Sequence, residues 1–442
     1  MADAGRGSFA AALAGAEFRA MWLAETLSVA GDQLARVALA LLVYGRTNSA
    51  SLTALTYALT FAPAFIGGFL LSGLADRFPR RAVIVVTDVV RGCLALAMAI
   101  PGLPLPALWC LVGGLTLAGA PFKAAQLSLL PDVLPEGHYQ AGLGLRQIST
   151  QTAQVIGFGL GGILVTAIGA SGALVFNSAT FLISALVIAL FVRARPAARR
   201  RQVDEIREPG RARMFDRRLA AVFILASLIG LLVVPEGLAA PYAGTVGAAS
   251  FAVGVLMAAD PVGSVIGGWW ASRGSADPSA RSVIIPAVAS GLPLVLCVFL
   301  PGLLWAAVLW AICGAFSTVY LIRLQAVIVA VVPDSRRGAV MGKFSTCVYS
   351  SQGVAITGAG VVADQLGPVT TVAVSGALAS VLAAGAGIVW RETRPRQPRA
   401  AEDEPCPVNR VDRERSDVLV THGDPLPGQP AVGGSGGPEA AP

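Results

Sequence analysis

Glu25, Asp32 and Arg36 stand at i, i+7 and i+11 inside an otherwise apolar run. At about 100° per residue all three share one helix face, with Ser28 beside them. A charge held mid-membrane costs about 2.5–3.5 kcal/mol on insertion scales, so it needs a partner, a proton or a water-filled cavity. The chemistry open to this stripe is reversible protonation. Asp32 is the expected main protonation site, Arg36 its tuning i+4 neighbour, and Glu25 an auxiliary site. Any movement that alters the Asp32–Arg36 distance would change the proton affinity of the carboxylate. A fixed pair that only holds its helix is the competing reading. Asp88 and Arg91, at i and i+3, read as a structural pair. Two more carboxylates adjoin prolines, which loosen a helix locally. Asp260, before Pro261, lies near the middle of its apolar run and is a further proton-coupling candidate. Glu236, after Pro235, lies nearer an end, and simple solvent exposure is expected for it.

Uncharged polar groups form further stripes. Thr53, Thr56, Tyr57 and Thr60 make one, Gln147, Gln151 and Gln154 another, and Tyr349 with Gln352 a third. Thr56, Tyr57, Thr60, the three glutamines, Tyr349 and Gln352 are candidates to line a cavity for a moderately polar, amphipathic organic molecule. Hydrogen bonding between helices is the equal alternative. Other chemistries find no residues. "GFGLGGIL" lacks the Lys-Ser/Thr ending of a phosphate-binding loop, so no nucleotide is expected. Six cysteines without a CxxC and only two histidines offer no metal cluster. No reactive constellation points to an enzyme. No cofactor is expected, and a proton gradient is the expected energy source.

The elements that carry these residues are set by composition. The chain has 442 residues, 55% hydrophobic and only 13% charged, against roughly a quarter charged in soluble domains. The lipid bilayer is therefore the expected solvent. Twelve apolar segments are long enough to cross it: about 19–44, 50–72, 82–100, 107–129, 141–167, 173–192, 219–240, 250–272, 283–299, 303–331, 342–364 and 369–390. They are called spans one to twelve below. The odd-numbered connections, such as "GRTNSA", "PGLPLP" and "QLGP", hold one basic residue, Arg46. The even-numbered ones hold "DRFPRR", "PDSRRG" and the long "RARPAARRRQVDEIREPGRARMFDRR". Arginine sorted this way puts both termini in the cytoplasm of a multi-pass protein of the cell inner membrane. The net charge of +7 is read as this orientation signal and not as a nucleic-acid surface. No cleavable leader is evident.

The expected divisions are a cytoplasmic N-terminus (1–18), a six-helix bundle (19–192), a basic cytoplasmic linker (193–218), a second six-helix bundle (219–391) and a Pro- and Gly-rich disordered tail (392–442). The bundles echo each other. "FIGGFLLSGLADR" at 65–77 returns, eroded, as "VIGGWWASRGSADP" at 265–278. Pro131-Asp132 returns as Pro333-Asp334. The offset is about two hundred residues, as expected of parallel transporter repeats.

The run Gly73-Leu74-Ala75-Asp76-Arg77-Phe78-Pro79-Arg80-Arg81, between spans two and three, resembles the loop 2–3 signature of the major facilitator superfamily, with Pro79 in place of a glycine. On span five, Gly144, Ala153, Gly157, Phe158, Gly161 and Gly162 fall at the spacing of the antiporter glycine motif, with Phe158 in place of its proline. The surrounding text resembles the enterobactin-exporter-like, drug–proton antiporter branch. The family's arginine motif on helix four is absent from "LVGGLTLAGAPFK".

The resemblance implies an all-α fold of two pseudo-symmetric six-helix bundles, with spans one, four, seven and ten around a central cavity. It implies a conformational latch at Gly73, Asp76, Arg77, Arg80 and Arg81, and a packing face at Gly157, Phe158, Gly161 and Gly162. The expected activity is export of a drug-like or secondary-metabolite compound by proton antiport, as a monomer whose partners are a small-molecule substrate and the lipid bilayer. Import of a nutrient with protons, or a non-transporting sensor or scaffold, are the alternatives.

Overall fold

The computed structural model describes residues 13–61, 63, 67, 77–134, 138–195, 217–273, 280–332 and 334–392. Among them all regular secondary structure is helical. Span one is Ala16–Thr47, span two begins as Ala50–Ala58, span three is Arg80–Met98 and span four Leu105–Val133. Spans five and six form one run, Tyr139–Phe191. Span seven is made of Arg217–Ser227, Ile229–Leu232, Val234–Gly237 and Ala239–Thr245. Spans eight to twelve are Phe251–Arg273, Ala280–Leu296, Leu303–Val331, Asp334–Leu366 and Pro368–Glu392. Seven described helices are long and apolar enough to cross a membrane by length and composition.

The 53-residue run Tyr139–Phe191 would be about 80 Å long if straight, far beyond a hydrocarbon core of about 30 Å. It reverses at Gly169, whose φ of 75° and ψ of 170° are not helical. Packing shows the reversal. Gly157 lies against the Ala30 carbonyl while Asn177 and Thr180 lie against Gly31. Residues twenty positions apart along the run therefore meet the same turn of span one, one from each leg.

The arginine-poor connections are tight. Asn48 takes the left-handed conformation (φ 48°) and returns its N–H to Tyr44, and the Ser49 side chain accepts from the Leu52 amide to start span two. Gly367 (φ 82°) separates spans eleven and twelve, and Pro368 opens the next helix where its missing N–H is harmless.

Small residues let helices approach closely, and the contacts repeat between halves. Gly67 of span two meets Leu117 and Ala120 of span four. Gly263 and Gly267 of span eight meet Ala311 and Ala315 of span ten. Gly92 of span three meets Ser178 and Leu182 of span six, and Gly291 of span nine meets Gly376 of span twelve. Equivalent positions lie within a few residues of 200 apart, so the sequence echo is a repeat of helix packing.

Candidate functional site

The site is built where the halves meet. Arg36 projects from span one so that its guanidinium carbon lies 4.6 Å from the Phe61 ring centre and 5.7 Å from that of Tyr57. The Tyr57 hydroxyl donates to Oε2 of Glu236 on span seven. Glu236 is only 8% exposed, with Arg36 and Tyr57 as its charged and hydrogen-bonding neighbours. Arg36 and Glu236 are 200 residues apart, at matching positions in the two repeats, so an arginine and a glutamate face each other across the pseudo-two-fold axis. Asp260 is within electrostatic reach of Glu236. Its carboxylate packs on Gly314 of span ten, where an added Cβ would sit 2.8 Å from Oδ1.

Burial of Glu236 corrects the expectation of solvent exposure. The proline effect explains how span seven delivers it. Pro235 cannot donate a helical hydrogen bond, and the span breaks at Leu228, Val233 and Leu238. The Glu236 amide reaches back only three residues, to the Val233 carbonyl, at 3.1 Å. The displaced turn carries the carboxylate inward to Tyr57.

A second network lies inside the first half. Arg91 of span three bonds Asp32 of span one at 2.7 Å and Asp88 at 3.2 Å. Ser184 of span six donates to Asp88 at 2.5 Å, and the Arg91 guanidinium lies over Phe181, 4.1 Å from its centre. The expected Asp32–Arg36 pair is thus replaced by Asp32–Arg91. Four residues of helix turn Arg36 by about 40° and raise it about 6 Å relative to Asp32, enough to send it towards span two while Asp32 faces span three. Glu25 is held bidentately by Arg146 of span five at 2.5 and 2.6 Å, with Gln126 of span four 3.2 Å from the same guanidinium. Arg146 therefore clamps span five to spans one and four from inside the bundle.

Of the expected latch, Gly73 and Asp76 lie outside the described residues. Arg77 is exposed. Arg80 bonds Asp132 and the Ser128 carbonyl, both at 2.7 Å, and Arg81 donates to the Ala189 carbonyl. Both bind within their own half. The glycine face of span five is divided between neighbours. Gly157 and Gly161 lie on span one, at Ala30, Leu34 and Val37. Gly162 and the Phe158 carbonyl lie on Gly254 of span eight, and the Phe158 side chain is buried. Thr56 accepts from Trp109 Nε1 at 2.9 Å, Thr60 bonds the Tyr57 carbonyl, and Gln154 donates to Gln151 at 3.1 Å. Gln147 and Tyr349 are exposed. Gln352 is buried with its Oε1 unpartnered. Local sequence pattern does not pair Tyr57 with Glu236. The 200-residue repeat was the available signal, since it aligns Glu236 with Arg36.

Comparison with known proteins agrees with this architecture. The family model described as Major Facilitator Superfamily matches residues 21–234 and 219–419. The multidrug efflux pump Tap of Mycobacterium tuberculosis is 27% identical over 181 residues, 38% of this chain and 42% of that protein. An uncharacterized MFS-type transporter of Bacillus subtilis, YkuC, is 27% identical over 174 residues, 39% of this chain and 40% of that protein. The chain thus aligns with about two fifths of the length of these relatives. Among solved structures, a bacterial homolog of the human lysosomal transporter Spinster, inward-facing and unoccupied, superposes with a TM-score of 0.70 at 15% identity, over 86% of this chain and 98% of that one. The nucleoside transporter NupG does so with a TM-score of 0.67 at 15% identity, over 84% and 99%. A twofold-repeated helical bundle and a family match along most of its length lead to one conclusion: this chain belongs to the Major Facilitator Superfamily and has its multi-pass membrane fold.

Proposed function

We propose that the chain exports a small amphipathic organic compound across the cytoplasmic membrane in exchange for protons, with both termini in the cytoplasm. The observation that carries this reading is the buried Tyr57–Glu236 hydrogen bond faced by Arg36, because it joins the two halves through a group that can take up a proton. While ionised, Glu236 accepts from Tyr57 of the opposite half and attracts Arg36. A proton on Glu236 removes that attraction and loosens the junction. Asp260, close by, is the second carboxylate able to share the load, and Asp32, whose side chain is 28% exposed, is a further one. Thr56, Tyr57, Gln151, Gln154, Tyr349 and Gln352 offer hydroxyls, amides and rings to an amphipathic substrate. The similarity to Tap, a multidrug efflux pump, favours export over import.

The hydrogen bonds and close glycine contacts that join the halves lie in the arginine-poor part of the described residues: Tyr44 on Gly244, Gly162 on Gly254, Gly360 on Ala54. The form described is accordingly one closed towards that face. An accumulation screen of fluorescent drugs and siderophores in an efflux-deficient host tests the function. The wild-type chain lowers accumulation of at least one compound, Glu236→Gln returns it to the host level, and Asp32→Asn gives an intermediate value. Raised accumulation with the wild type would mean import. Unchanged export and pH dependence in Glu236→Gln would remove Glu236 from coupling.

A further inference from the structure

The junction between the halves is built twice. Gly162 of span five lies against Phe251 and Gly254 of span eight, and Gly360 of span eleven lies against Ser51 and Ala54 of span two. Equivalent members of the two contacts are 198 to 200 residues apart in the chain. One component has no counterpart. A single turn beyond Gly360, the Asp364 carboxylate accepts from the Ala50 amide at 2.7 Å, the Ser51 amide at 3.2 Å and the Ser49 hydroxyl at 3.2 Å. The first amides of a helix have no partner within it, and here a side chain of the opposite half supplies one. The matching position on span five is Thr166, whose hydroxyl turns back to the Gly162 carbonyl of its own helix at 2.8 Å. The glycine contacts build the junction on both sides of the axis. The carboxylate is an addition to one side.

We infer that Asp364 is a positioning residue for transport, tying the start of span two to the end of span eleven while the arginine-poor face is closed and so setting how readily that face opens. This rests on the exporter reading above. The groups that face Asp364 from span two are Ser49, Ala50 and Ser51, and among the described residues it forms no ion pair. A charge-assisted set of bonds to free helix amides is the kind of contact whose removal changes a two-state ratio by about five-fold, the effect of a typical helix cap. Because the bonds cross between halves, that change appears in the open-to-closed ratio as well as in folding.

The test is a distance measurement on the full chain in lipid nanodiscs, with native cysteines replaced and spin labels at Gly45→Cys and Gln365→Cys, both exposed positions. The unsubstituted junction gives one short distance population. Asp364→Asn adds a longer one, raising the open-to-closed ratio about five-fold, and Asp364→Glu largely restores the short one. Ala50→Pro deletes the 2.7 Å amide donor at a first helical position that suits proline, and gives the same shift without touching the charge. Thr166→Val leaves the distribution unchanged. The inference is overturned if Asp364→Asn and Ala50→Pro both keep the original distribution, or if Thr166→Val opens the face equally. The measurement needs neither substrate nor gradient, so it can fail while export stands, and export can fail while the tie stands.

Discussion

Arg91 shows at the residue scale how buried charge is made tolerable. It is 5% exposed, Asp88 is fully buried, Asp32 and the Phe181 ring lie against its guanidinium, and Ser184 donates to Asp88. Removing one partner of such a network leaves an uncompensated charge, which costs about 3–5 kcal/mol. Arg91→Ala should therefore lower stability by about that amount in detergent unfolding experiments. Arg91→Lys should lose less, since a lysine keeps the charge but not the fork that reaches two carboxylates. A variant as stable as the wild type would mean that the network is dispensable. The stripe Glu25, Asp32, Arg36 was legible in the sequence because helical geometry alone places it on one face. Its partners were not, because Arg91 and Arg146 lie 59 and 121 residues from the carboxylates they bond, and Glu236 lies 200 residues from Arg36, its electrostatic neighbour. Periodicity gives the direction of a side chain on its own helix and is silent on which helix stands opposite.

At the element scale, span five does its work through where it lacks side chains. A Cβ on Gly157 would collide with the Ala30 carbonyl of span one, which is backbone and cannot turn aside, whereas one on Gly159 would meet open space. Gly157→Val should sharply reduce folded yield and thermal stability, and Gly159→Ala should leave both within about 0.5 kcal/mol of the wild type. Equal effects in a paired thermal-shift measurement would contradict this packing. The small-residue face could be read from spacing, and the loop lengths and apolar runs gave the spans. The break in span seven was only half visible. Pro235 marked the loosened turn, but the inward swing of Glu236 needs Tyr57, a residue of the other half, as its destination.

At the scale of the whole molecule, two copies of one helix-packing plan meet about an axis, and the departures from symmetry are where chemistry has been added. Arginine at 36 faces glutamate at 236, and Asp364 has a threonine for its counterpart. The duplication was readable as an offset of about two hundred residues. What the offset could not reveal is which residues touch at the junction, among them Tyr44 and its equivalent Gly244, since that follows only from how the halves are apposed. As proposed, a proton on Glu236 is exchanged for solute. The most direct test of this exchange is simultaneous recording of proton and solute flux in proteoliposomes that hold a pH-sensitive dye, using a compound identified by the accumulation screen. Solute movement through the wild type is expected to drive protons the opposite way, and Glu236→Gln to exchange labelled for unlabelled solute while moving no protons. Solute flux without proton movement in the wild type, or undiminished proton movement in Glu236→Gln, would contradict the exchange.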